Sequence, residues 1–199
     1  MKKKALLIFL CSIVFVLVFS ATCWHFVSWQ QVGDYLMNAT AAEMDRHGVT
    51  LSYRDLSVEK GINPSFHFIG LKLTSFAGVI EAGDLIISLD TPGSVQQMGG
   101  AFSLSIPSLV IRPRIGGMTE MSSGGQGHFL VRKGLLICKG LDFSGDISIS
   151  GGVRMDLDSG RLTSEGLLVQ VPDEIDSNLE VLTGYFPIKR TGPGQWSLR

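Results

Sequence analysis

Residues Asp146 to Gly160 read DISISGGVRMDLDSG, with Ile147, Ile149, Val153, Met155 and Leu157 at odd positions and Ser148, Ser150, Arg154 and Asp156 at even ones. Side chains along a strand alternate between faces, so this pattern predicts a β-strand with one apolar side. Register tightens the reading, because a one-residue slip would turn the apolar side to water. A two-residue turn at Gly151-Gly152 sets Ile149 against Arg154, which is the wrong register. A three-residue turn from Ser150 to Gly152 and an unbroken strand across both glycines each keep the five apolar residues together. Further along, a turn around Ser159-Gly160 pairs Leu157 with Leu162, whereas Leu167, Val169 and Val171 have the opposite parity. An extra residue near Gly166, a β-bulge, reconciles the two.

The same period of two runs through VTLSY (49–53), FHFIGLKL (66–73), DLIISL (84–89), AFSLSI (101–106), LVIRP (109–113) and GHFLVRKGLLICKGLDF (127–143). Asn63-Pro64, Ala77-Gly78, Thr91-Pro92-Gly93 and Gly99-Gly100 supply turns between them. Short, frequent strands with few helices between them predict antiparallel sheet. Changes of parity at Arg54-Asp55 and Ile69-Gly70 predict that this sheet bends. The run GGMTEMSSGGQG (116–127) has no period and is expected to be a loop or linker between a first β half (49–115) and a second (128–199). As a phosphate-binding loop it lacks the lysine ending and the following helix. After Pro172-Asp173, Ile175, Leu179 and Leu182 recur at helical spacing before Gly184, predicting one short C-terminal helix. Tyr185 to Arg199 returns to strand-like sequence, broken by Gly192-Pro193-Gly194.

Toward the N-terminus the chemistry changes. Lys2, Lys3 and Lys4 precede an uncharged run from Ala5 to Trp24, close to the ~20 residues that cross a bilayer core as a helix. Residues 1–29 are therefore expected to be cytoplasmic lysines and a transmembrane anchor, with Trp24, Phe26 and Trp29 as an interfacial aromatic belt. A cleaved signal peptide fits less well, because the apolar character continues beyond the weak site at Val18-Phe19-Ser20. Residues 30–48 then predict a juxtamembrane helix, with Val32, Tyr35/Leu36, Ala39 and Ala42 as its apolar stripe and Gly48 at its end.

Net charge is −1, and beyond the first residues no basic stripe follows, which excludes nucleic-acid binding. Cys138 stands apart from Cys11 and Cys23, so no disulfide or cysteine metal site is expected in the sheet region. None of the four histidines has a second histidine or cysteine at metal spacing, and Glu43 with His47, four apart and able to share a metal ion, reads instead as a solvated helix pair. No nucleophile elbow is present. No catalytic, cofactor or metal residue is assigned, and the chain reads as a non-enzyme. The residues singled out are an apolar groove face (Ile147, Ile149, Val153, Met155, Leu157) and a polar contact at Arg112 and Arg114, which also suit a protected strand end.

The opening pattern, HGVTLSY, FHFIGLKL and VIEAGDLIISL leading into FSLSIPSLVI, resembles AsmA-like envelope proteins. The later half, LDFSGDISISGGVRMDLDSGRLTSEGLLVQVP with LEVLTGYFPI, is similar to the N protein of the type II secretion system. Together with the residue reading, the resemblance implies a mainly β chain with a transmembrane and a juxtamembrane helix, then a bent, mostly antiparallel sheet shaped like a groove or half-barrel. It implies a single-pass inner-membrane protein with its C-terminal domain in the periplasm. Its partners would be the inner membrane and other envelope or secretion-system proteins, with lipid acyl chains under the AsmA-like or lipopolysaccharide-transport-like alternative. No cofactor is implied.

Overall fold

The computed structural model describes residues 14–16, 18, 19, 22, 24–114, 120–173, 175, 176 and 188–198. Helix α1 spans Trp29–Arg46 and helix α2 Thr91–Gln97. The strands are β1 (Thr50–Ser52), β2 (Asp55–Glu59), β3 (Ser65–Thr74), β4 (Gly78–Leu89), β5 (Gly100–Pro113) and β6 (Met121–Arg132). They continue as β7 (Leu135–Gly145), β8 (Ser148–Asp156), β9 (Leu162–Gln170), β10 (Ile188–Gly192) and β11 (Gln195–Leu198). All belong to one antiparallel sheet in the order β1-β3-β4-β5-β6-β7-β8-β9-β11-β10, with β2 beside β3. The sheet is open, ending at β1/β2 on one side and β10 on the other.

Strand β8 runs unbroken across Gly151 and Gly152, which resolves the choice left by the sequence. The bulge expected near Gly166 is present: Gly152 opposes both Glu165 and Gly166, whose φ of 75° suits glycine alone without strain. The preceding turn is wider than expected, pairing Met155 rather than Leu157 with Leu162. The Asp156 carboxylate builds it, accepting from the N–H groups of Asp158 (3.1 Å) and Ser159 (2.8 Å).

The parity changes elsewhere form one crease. On β3 the buried side chains pass from Phe66 and Phe68 to Leu71, and on β4 from Leu85 to Ala82. Both flips occur with pairing sum intact, Ile69 opposite Asp84 and Leu71 opposite Ala82. β1 and β2 are one strand interrupted at Tyr53-Arg54 and paired along the same partner, β3. On β5 the same step falls at Pro107-Ser108, where its register against β6 shifts. AFSLSI and LVIRP are thus one bulged strand.

Three expectations are corrected. Residues 121–127 of the supposed linker lie in β6, and 115–119 lie outside the described residues. Their glycines are required by packing: a Cβ at Gly125 would sit 2.1 Å from the Asp142 carbonyl oxygen on β7. Thr91-Pro92-Gly93 opens α2 instead of forming a simple turn, because the Asp90 carboxylate accepts from the Gly93 N–H (2.9 Å) and proline suits a first helical turn. Trp29 is buried in the core at α1's first turn, not in a membrane belt. Most of the expected C-terminal helix, 174 and 177–183, lies outside the described residues, as do 184–187 beyond it; 173, 175 and 176 are helical.

The expected membrane anchor also lies largely outside them. Residues 14–16, 18, 19, 22 and 24–26 are helical, and among the described residues no helix is long and apolar enough to cross a membrane.

Helix α1 packs on β1 and β2 with the stripe Trp29, Gly33 and Met37, one residue off the stripe read from sequence. Tyr35 and Leu36 are exposed instead. Gly33 sets this registry: a Cβ there would lie 2.7 Å from Leu56 Cδ2 and 2.9 Å from Phe66 Cδ1. The resulting core joins Trp29 and Met37 to Leu56, Phe66, Phe68, Leu71, Ala82 and Leu85. Gly48, with φ 74°, ends the helix where glycine was expected.

Candidate functional site

Cross-strand partners in a sheet point to the same side, so the face under α1 can be followed across the strands. Leu89 pairs with Phe102, Phe102 with Phe129, Phe129 with Cys138, Cys138 with Val153, and Val153 with Ser164. The Phe102 and Phe129 rings stack 5.1 Å apart. A second row runs Phe143, Ile149, Val169 and Trp196. One apolar face thus extends from β1 to β11. The α1 core reaches only to β5, and among the described residues neither α1 nor α2 packs extensively on β6 to β9.

Of the predicted groove residues, Ile149, Val153 and Met155 lie on this open part of the face, each half-buried among its neighbours. Ile147 falls in the β7–β8 turn, where its carbonyl accepts from the buried Ser123 hydroxyl (2.8 Å). Beside it, the Ser122 N–H and hydroxyl hold the Asp146 carboxylate and lower its pKa. Leu157 lies in the wide β8–β9 turn and is largely exposed. Three of the five therefore share a surface, and two mark its ends. Near the opposite end of the sheet, Val49, Leu73, Ile80 and Ile111 line an apolar hollow of about 260 Å³ on the same face.

Arg112 and Arg114 are not brought together as a ligand fork. Arg112 lies on the outer face and forms ion pairs with Glu120 (2.6 Å) and Glu81, while Lys72 reaches Glu81 at 2.9 Å. Hydrogen bonding to Glu120 and then Glu81 raises the Arg112 pKa, and bonds from Lys72 and Arg112 lower that of Glu81. Arg114 has an exposed side chain, and its N–H donates to the Ala77 carbonyl at 2.9 Å. The pair thus secures a strand end, as charge and proline do at sheet edges.

The two sheet edges differ. At β2, both outward backbone groups of Leu56 are taken: its carbonyl accepts from Gln30 of α1 (2.9 Å), and its N–H donates to the Asp55 carboxylate (2.8 Å). Tyr53 between β1 and β2 donates to Asp34 of α1 at 3.1 Å, and burial, with this bond, raises its pKa. Among the described residues nothing pairs with the outer edge of β10.

Asp176 secures that edge, and sequence reasoning missed it. Its carboxylate accepts from the Trp196 indole N–H (2.8 Å) and pairs with Arg190 of β10. Burial opposes its ionisation, but hydrogen bonds from the Gly194 N–H and Trp196 with the Arg190 charge outweigh this and lower its pKa. A lone acid 14 residues from one partner and 20 from the other leaves no local signal. Cys138 is buried at the centre of the face, and burial raises its thiol pKa, as for a packing cysteine. Among the described residues no group of three or more His, Cys, Asp or Glu is placed to hold a metal ion.

This geometry offers surfaces for association, and comparison with known proteins bears on which. Residues 3–199 match the model of the family described as type II secretion system protein GspN-like, Synergistales. The chain belongs to this GspN-like family. The match spans both halves of the sheet and gives the AsmA-like resemblance no support. No curated protein and no solved structure matches the chain. Membership associates this GspN-like chain with type II secretion and protein transport, and so with other secretion proteins.

Proposed function

We propose that this GspN-like chain is a non-enzymatic component of a type II secretion machine, held at the inner membrane by its N-terminal apolar run, with the sheet on the periplasmic side. It engages another secretion protein by strand addition at β10. The observation that supports this contact is the difference between edges: on β2 the Leu56 carbonyl is taken by Gln30 of α1 and its N–H by Asp55, whereas β10 ends the sheet without a described neighbour. An unpaired edge gives main-chain hydrogen bonds to an added strand, and Lys189 on that edge limits indiscriminate pairing.

Deletion of the gene provides the test. Folded exoproteins should accumulate behind the outer membrane while membrane lipid composition stays unchanged. Normal export with altered lipids would overturn the secretion role in favour of lipid handling.

A further inference from the structure

The β2–β3 turn, α2, the β6–β7 turn and the β8–β9 turn all lie at one end of the sheet, because Ser65 pairs with Ser88, Gly100 with Val131 and Met155 with Leu162. The N-terminal run enters at this same end. Trp24 donates its indole N–H to the Gly61 carbonyl at 3.0 Å. Thr91 at the start of α2 donates its N–H to the Asn63 side chain (3.1 Å) and its hydroxyl to the Ile62 carbonyl (2.6 Å). Three segments distant in sequence are thus tied into one rim.

That rim displays apolar side chains the fold does not use. Phe26, Ile62, Val95 and Met98 are 79, 75, 76 and 82% exposed. Trp24, Val95 and Phe102 line a shallow cleft behind them. Exposed Lys60, Arg132 and Lys133 border the patch, and a Cβ on Gly99, next to Met98, would lie 3.1 Å from Arg132 Cβ. The rim's charges are mixed, with Glu59 exposed beside Lys60 and Asp158 beside Gly134, so it is the exposed apolar tip next to the N-terminal run that suits the headgroup layer of a bilayer.

The chain itself indicates the occupant. The uncharged run from Ala5 leads into the rim through Thr22 to Phe26, so a bilayer holding that run lies next to these side chains. We propose that this end of the sheet docks into the membrane interface, with Ile62, Val95 and Met98 immersed beside the anchor. The inference rests on the membrane-anchor reading above. It adds a second contact that fixes the sheet's orientation at the bilayer and leaves the far end, with Phe76 at its tip, away from lipid.

The experiment uses the full chain with Cys11 and Cys23 replaced by serine and buried Cys138 retained, carrying I62C, V95C, M98C or F76C labelled with an environment-sensitive fluorophore. Each is reconstituted into vesicles of phosphatidylethanolamine and phosphatidylglycerol and floated on a density gradient. Co-flotation, with blue-shifted emission that spin-labelled lipid quenches at 62, 95 and 98 but not at 76, is the expected result. Co-flotation with all four labels equally wet would overturn the docking and leave the anchor standing. A blue shift without lipid quenching, accompanied by self-association, would assign the rim to a second copy and overturn the proposal. Failure to float would overturn both readings.

Discussion

Replacing Gly33 by alanine tests how α1 covers the first half of the sheet. In a helix interior this exchange ordinarily stabilises by about 1 kcal/mol, because glycine has more backbone freedom to lose. Here the added Cβ would sit 2.7 Å from Leu56 Cδ2 and 2.9 Å from Phe66 Cδ1. The closer contact falls about 0.8 Å short of a ~3.5 Å carbon contact. Leu56 and Phe66 are both buried, so neither can swing aside, and α1 must lift from β2 and β3. Overpacking of this kind costs about 1 to 3 kcal/mol, leaving a net loss of about 1 kcal/mol where propensity alone predicts a gain. Gly33→Leu should cost more, and Asn38→Ala, on the exposed side of α1, should be neutral or slightly stabilising. Urea unfolding of the detergent-solubilised chain, followed by tryptophan fluorescence, reads all three, since Trp29 is buried against Phe66 with ring centroids 6.2 Å apart. A Gly33→Ala midpoint above wild type by the full propensity gain would refute the packing of α1 on the sheet.

Two further outcomes follow from the covered and secured parts of the fold. Phe68→Ala, at a site 2% exposed, should cost about 3 to 5 kcal/mol, whereas Met155→Ala on the open face should cost only about 1, checked by the same unfolding curves. Because the folded-state pKa of Asp176 is lowered, its ionised contacts contribute stability above the unfolded carboxylate value of about 3.9 and lose it as pH falls through the folded value. Asp176→Asn should therefore lower the wild-type midpoint at neutral pH and flatten its decline in acid, measured by unfolding across a pH series.

How much of this was legible in the sequence depended on whether a residue's role was local. The odd-numbered face of β8 and the bulge at Gly166 were readable, because a period of two exposes any inserted residue. Gly48 and the Gly192-Pro193-Gly194 turn were readable from backbone preference. The glycines of β6 were misread, since a glycine-rich strand pressed against the Asp142 carbonyl has the same composition as a linker. Helix α2 was missed because Thr-Pro-Gly reads as a turn until the Asp90 cap is considered. The stripe of α1 shifted by one residue because Gly33, which carries no hydrophobic signal, is where the helix meets the sheet. The Asp176 contacts and the difference between the two edges depend on residues brought together only by folding.

The proposal to be tested is that β10, without a neighbour among the described residues, takes a secretion partner, whereas β2, occupied at Leu56 by Gln30 and Asp55, does not. A photocrosslinking amino acid at Lys189 or Thr191 of β10, compared with Ser57 of β2, tests it in cells that are exporting protein. Adducts with a secretion-system protein should form from β10 and none from Ser57. Adducts from Ser57 alone, or equally from both edges, would contradict it.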